Sequence, residues 1–175
     1  MSLAATNNQI PDNSILDANN KQTYLGNQYS VTSTFTVGTS EIPLILLQNN
    51  QSGYPNLANQ SRALFQNLLK VLESSATSSV ILKVYLNPTA SATGTPLTPV
   101  NLRSSYGVAS SKASPFSAPT ITSNGTLVDA LSAAPSTVSL SSLLKILDNG
   151  QSLLVTGTSS AASNSVSVLL EWFEL

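Results

Sequence analysis

The groups in this chain with the most obvious chemical use are its eight carboxylates: Asp12, Asp17, Glu41, Glu73, Asp129, Asp148, Glu171 and Glu174. Glycoside hydrolysis sets two such groups across a cleft. Here they are scattered, and no pair stands at a spacing that forms a local motif. The usual helpers are missing as well. The chain has no His and no Cys, which removes the commonest general base, the commonest metal ligand and any thiolate nucleophile. Hydrolysis would need a Ser–Lys or an all-carboxylate design, and no Gly-rich phosphate loop is present. The expectation is therefore no catalytic residue, no cofactor and no metal: not an enzyme.

Three further patterns invite a functional reading. "PDNSILDANN" offers oxygen ligands at Asp12, Asn13, Asp17, Asn19 and Asn20, but it lacks the D-x-[DN]-x-[DN]-G spacing and the bidentate Glu of a calcium loop. It reads as a solvated arm. Trp172 could stack on a sugar, yet it alternates with Val166, Val168 and Leu170, which makes it a core residue. Sequons stand at Asn50, Asn59 and Asn124; in a chain this rich in Ser and Thr, chance matches are expected.

What must position any function is a sheet scaffold. Of 175 residues, 30 are Ser, 17 Thr and 16 Asn, while only 9% are charged, against about 25% in ordinary soluble domains. Hydroxyl and amide side chains favour strands and turns and compete with helix hydrogen bonds. The net charge of −1, spread without runs, argues against nucleic acid as a partner. Near-neutral charge also gives little protection against association, which suits life in an assembly. The apolar runs, such as "PLILL" and "VSVLL", are too short to span a bilayer, so no membrane is expected. The N-terminus carries neither the basic nor the apolar region of a secretory signal.

Residues 1–20 are polar and aperiodic and read as an extended N-terminal arm ordered only by a partner; residues 21–175 read as one domain. In "YSVTSTFTV", Tyr29, Val31, Phe35 and Val37 share one face with Ser33, the mark of a half-buried strand. "IPLILLQ" follows, with Pro43 at a strand start or a sheet edge. In "RALFQNLLKVLE", Leu64, Phe65, Leu68, Leu69 and Leu72 fit helical spacing, while Phe65, Leu69 and Val71 fit one face of a strand; spacing alone favours a short helix. "SVILKVYLN" sets Val80, Leu82, Val84 and Leu86 on one face. Short strands flank the Asn124-Gly125 and Asn149-Gly150 turns, and "NSVSVLLEWFEL" closes the chain as a strand. The sum is an all-β antiparallel sandwich or jelly roll in a single domain.

The most unusual stretch is "NPTASATGTPLTPVNLR", Asn87 to Arg103, a long uncharged connection ending in one base. Pro96 and Pro99 fix φ and cannot donate to a ladder, so they hold an extended segment at a sheet edge without inviting further pairing. This stretch reads either as a contact and corner loop or as a plain surface connection, with a short strand between Leu97 and Leu102.

A strand ending in "VYLNPT", then "GTPLTPVNLR", then "GQSLLVTGTSS" and a final "SVSVLLEWFE" resembles, in that order, a loose group of small virion proteins of tailed bacteriophages. The likeness covers residues 29–175 in element order, with sharp agreement at 87–102, 150–155 and 166–174. The resemblance implies a β-sandwich on a virus particle, as a capsid cement, decoration or head-fibre-like protein or a tail accessory, and it turns "RALFQNLLKVLE" toward strand. It carries no functional residues with it. The Asn-rich arm and "SSATSS" depart from the pattern. The reading that follows is a capsid cement protein, a homotrimer or homodimer bound to the major capsid protein on the virion surface and made in the host cytoplasm. The alternative is a tail or baseplate adhesin for a host glycan, for which Tyr54, Tyr106 and Phe116 are the exposed aromatics available.

Overall fold

The computed structural model describes residues 27–50, 64–73, 77–102, 110–141 and 145–174, and the expectations for the arm, for Asp12 to Asn20, and for Tyr54, Asn59 and Tyr106 lie outside them. Among the described residues there is no helix, and the strands form an antiparallel sandwich. They are β1 (Gln28–Val37), β2 (Ile42–Asn49), β3 (Leu64–Glu73), β4 (Val80–Leu86), β5 (Thr89–Ala92), β6 (Thr95–Pro96), β7 (Val100–Asn101), β8 (Ala113–Ser117), β9 (Thr120–Ser123), β10 (Thr126–Ala133), β11 (Val138–Ser141), β12 (Lys145–Leu147), β13 (Ser152–Ser159) and β14 (Asn164–Glu174). One sheet, here sheet A, has the order β11-β3-β14-β1-β7, with β12 also on β3; sheet B has β10-β4-β13-β2-β8-β6; β5 and β9 form a separate two-stranded ribbon.

Setting aside the segment from β5 to β9 exposes the plan. The remaining strands fall to the sheets as β1 (A), β2 (B), β3 (A), the adjacent pair β4 and β10 (B), β11 and β12 (A), β13 (B) and β14 (A). The first strand lies beside the last, and the last beside the third; the second lies beside β13, and β13 beside the fourth. This is the double Greek key of a jelly roll. The segment between β4 and β10 is an insertion, and it adds β8 and β6 to the edge of sheet B and β7 to the edge of sheet A.

The core lies between the sheets, where the alternating strands put it. Tyr29, Val31 and Val37 of β1 meet Val166, Val168, Leu170 and Trp172 of β14, with Val80, Leu82, Val84, Leu153 and Val155 opposite, all buried. Residues 64–73 form a strand, as the resemblance implied and against the helical spacing. The cause is a bulge. Glu171 pairs with Leu68 and Trp172 with Gln66, skipping Asn67, so the period-two phase flips in mid-strand and leaves apolar residues at intervals that mimic a helix. Pro43 sits at a strand start, beside the bulge between Val155 and Thr156, although β2 is interior rather than an edge. The turns at Gly125 (φ +83°) and Gly150 (φ +81°) are present, but neither closes a hairpin: β9 and β10 pair with β5 and β4, and β12 and β13 belong to different sheets.

The ribbon crosses the outer face of sheet B. It leaves sheet B at Leu86 of β4, enters β8 and β6 on the far side of β13 and β2, and cannot pass through the inner face, which is packed on sheet A. Beneath its path lies an outward-facing row, Leu127–Tyr85–Leu154–Leu46–Phe116, in register across five strands. Leu154 and Leu46, in the middle of that row, are 0% and 1% exposed. Each end of the ribbon is made by a facing pair of left-handed residues. Gly125 lies against Asn87 (φ 53°), and Gly94 (φ +92°) against Ala118 (φ 48°). A Cβ on Gly125 would lie 2.2 Å from the Leu86 carbonyl oxygen, and one on Gly94 2.1 Å from that of Ser117, so only glycine fits at either place.

Candidate functional site

After β6 the chain leaves sheet B and crosses to sheet A. The Leu97 N–H donates to the Pro115 carbonyl (2.9 Å), β7 then pairs with Tyr29 and Ser30, and the Leu102 N–H donates to the Gln28 carbonyl (3.0 Å). Residues 95–102 thus close one open side of the sandwich, and the edge role expected for Pro96 holds: Thr95–Pro96 is the terminal strand of sheet B. Between this crossover and residues 110–116 lies a groove of about 570 Å³. One wall is Pro96 to Pro99, the other Ser110 to Phe116, and Tyr29 and Asn101 complete the lining.

The base of the groove is stiff. The Tyr29 ring stacks on Trp172 with centroids 6.1 Å apart and planes 25° apart. Burial pushes the Tyr29 phenol above its usual pKa, the nearby Glu174 charge adds to this, and a hydrogen bond with Asn101 partly offsets both. Glu174, 8% exposed, collects donors from the groove's far wall. Its carboxylate accepts from the backbone N–H of Lys112 (3.0 Å) and Ala113 (3.1 Å), from Ser111 Oγ (2.7 Å) and from Trp172 Nε1 (3.2 Å). The last strand of sheet A is thereby stitched to the segment entering β8 of sheet B.

A second polar cluster lies on the outer face of sheet B, where the ribbon begins. Glu41 Oε2 accepts from Lys83 Nζ at 2.6 Å, and Oε1 from Thr156 Oγ1 (2.7 Å), Tyr85 OH (2.8 Å) and Asn124 Nδ2 (3.4 Å). Burial raises the Glu41 carboxyl, but the hydrogen bonds from Lys83, Thr156 and Tyr85 and the Lys83 charge outweigh it, leaving a lowered pKa. The hydrogen bond to Glu41 and its charge raise Lys83, and burial, then Glu41, raise Tyr85. This is an electrostatic tie between sheet and ribbon.

The other residues singled out by sequence fall apart in space. Trp172 is fully buried in the core, as its alternation implied. Asn50 Nδ2 donates to Gln48 Oε1 (3.4 Å), and Asn124 is engaged with Glu41. Phe116 stands in a strand rather than a loop, partly exposed at the groove. Asp129 Oδ1 accepts its neighbour's N–H from Ala130 (2.7 Å). Glu171, whose pKa is raised by burial, accepts from Gln28 Nε2 (3.4 Å). Among the described residues no group of three or more acidic, His or Cys side chains could hold a metal. Sequence reasoning missed Glu41 and Glu174 as hubs. A signal for Glu174 existed, a carboxylate closing a buried alternating strand; Glu41, in a turn, gave none.

No known protein family and no curated protein matches the chain. Among solved structures it is similar to a point mutant of the VP2 protein of infectious bursal disease virus in derived T=1 particles, at 12% identity over 85% of this chain and 40% of that one, with a TM-score of 0.19. A structure of the Gx strain of infectious bursal disease virus matches at 10% identity over 85% and 41%, with a TM-score of 0.20. The chain thus spans about two fifths of the length of the chains it matches. At these scores the likeness carries no argument about fold or function.

Proposed function

We propose that this protein is a structural component of a virus particle: a capsid cement or decoration protein that binds the outer surface of the major capsid protein shell and stabilises it. The observation that carries the reading is the jelly-roll strand order combined with a hydroxyl-rich, charge-poor chain. That architecture serves capsids and lectins alike, and a fold does not by itself make a function. The ordered motifs at 87–102, 150–155 and 166–174, which resemble virion proteins of tailed bacteriophages, turn the choice toward the particle. The mechanism is stapling. Many modest contacts by a homotrimer or homodimer, repeated over the shell, raise the barrier to rupture through avidity.

Gold-labelled antibody against the protein, imaged on particles from its source, tests the reading. Regular label over the head is expected; label confined to the tail, or none, overturns the cement role and leaves the tail-accessory alternative. Because few charges are available, occupancy on capsids should survive high salt, and a steep loss between low and high salt would count against stapling of this kind.

A further inference from the structure

The groove beside the crossover has a chemistry that the cement role does not use. We infer that it is a binding site for neutral carbohydrate, a short oligosaccharide of uncharged hexose-type units. Its volume, about 570 Å³, falls within the range of roughly 300–1,000 Å³ usual for small-ligand sites. Among the described residues no charged side chain lines it. The nearest carboxylate, Glu174, is already engaged by two backbone amides, a hydroxyl and the Trp172 indole. The described lining offers an anionic ligand no cation, and the carboxylate behind it is already taken.

The walls also exclude an added peptide strand. Pro96, Pro99 and Pro115 have no N–H to give, and the Leu97 N–H is spent on the Pro115 carbonyl; strand addition needs a free backbone edge. What remains in the lining are the apolar residues Pro96, Pro99, Pro115 and Phe116, with the hydroxyl-bearing Thr98 and Ser114 among them. Ring faces take the C–H side of a sugar. Hydroxyls, which both donate and accept, match a ligand built of hydroxyls. The Tyr29–Trp172 stack and the Glu174 stitch fix the base, so little ordering is needed on binding. The inference stands whether or not the chain belongs to a particle.

The test is an NMR titration of the isotopically labelled full chain with cellotriose, mannotriose and tri-N-acetylchitotriose, with sialyllactose and trigalacturonate as charged controls. Saturable shifts confined to residues 96–101 and 110–116, from at least one neutral probe, are expected. Phe116→Ala should abolish them. Thr98→Val, at an exposed position that leaves the fold intact, should weaken binding about three- to tenfold, the value of one hydrogen bond. No response across the neutral probes overturns the site. So do shifts mapping elsewhere, an unchanged affinity in Thr98→Val, or preferential binding of the charged controls.

Discussion

The outer faces of the two sheets differ along their central strands. On sheet A, β1 and β14 alternate, and at one end of the pair their outward residues are small and hydroxylated, Thr34 and Thr36 beside Ser165 and Ser167, with the Thr34 and Ser167 hydroxyls 2.9 Å apart; toward the other end the outward positions of β14 are Leu169, Glu171 and the buried Phe173. On sheet B, β2 and β13 run as "PLILL" and "SLLV", and the outward Leu46 and Leu154 are as buried as the core. The difference lies in what covers them. Around Thr32 to Thr36 the central strands of sheet A keep one wet face; sheet B is crossed by the ribbon inserted between β4 and β10. A continuous apolar run in an antiparallel sheet is therefore a sign of cover on both faces, and one strand of the crossing ribbon, β5, comes from the proline-punctuated stretch.

The contrast is sharpest at its centre. Leu154→Ala removes a fully buried side chain from beneath the ribbon, and its cost should be about 2–5 kcal/mol of unfolding free energy in a denaturant titration, as for a core leucine. A cost near zero would mean that the ribbon does not seal. Gly125→Ala strikes the hinge of that ribbon, where the φ of +83° and the Leu86 carbonyl leave no room; more than about 1 kcal/mol of destabilisation is expected. Glu174→Gln places an amide donor against backbone N–H groups, and the stitch between the sheets should lose about 1–3 kcal/mol.

Glu41→Gln should cost about 1 kcal/mol or less, because the tie is partly solvated. Its pH signature is more telling. The folded-state pKa of Glu41 is lowered, so its contribution is present above the unfolded value and fades as the pH falls through the folded one. The variant should therefore lose that part of the acid-side dependence of stability, and an unchanged profile would assign it to other groups. Smallest of all, Thr34→Ala on the open face of sheet A should change stability by no more than about 0.5 kcal/mol.

Much of this division was legible in the chain. The alternation of Tyr29 to Val37 and of Val166 to Trp172 located the central strands of sheet A and their buried side, and Val80 to Leu86 did the same for sheet B. The edge role of Pro96 followed from its missing N–H. The strand at 64–73 was hidden by spacing, because a bulge at Asn67 flips the phase. The Asn-Gly pairs marked turns correctly but not their partners, since a turn sets local φ and not which strand will lie alongside. The groove and the partners of both carboxylate hubs were hidden because each is assembled from segments far apart in the chain, as Glu41 with Thr156 and Glu174 with Ser111 show; for Glu174 only its place at the end of a buried alternating strand gave a signal. Spacing reports neighbours in sequence, and most partners at these sites are distant in it.

The pairing of β1 with β14, from Gln28 opposite Phe173 to Val37 opposite Asn164, governs when the protein can become itself. During synthesis, the strand at 28–37 emerges long before its partner at 164–174 has been made, and at about 5–20 residues per second it waits on the order of ten seconds. Until then the middle of sheet A is a row of unpaired amides next to exposed Val31 and Val37. Closure joins opposite ends of the described fold, a high-contact-order step of the slow class, milliseconds to seconds. The scarcity of charge makes that interval the chain's most exposed moment to aggregation, and the Thr and Ser on the strand's other face are its main protection.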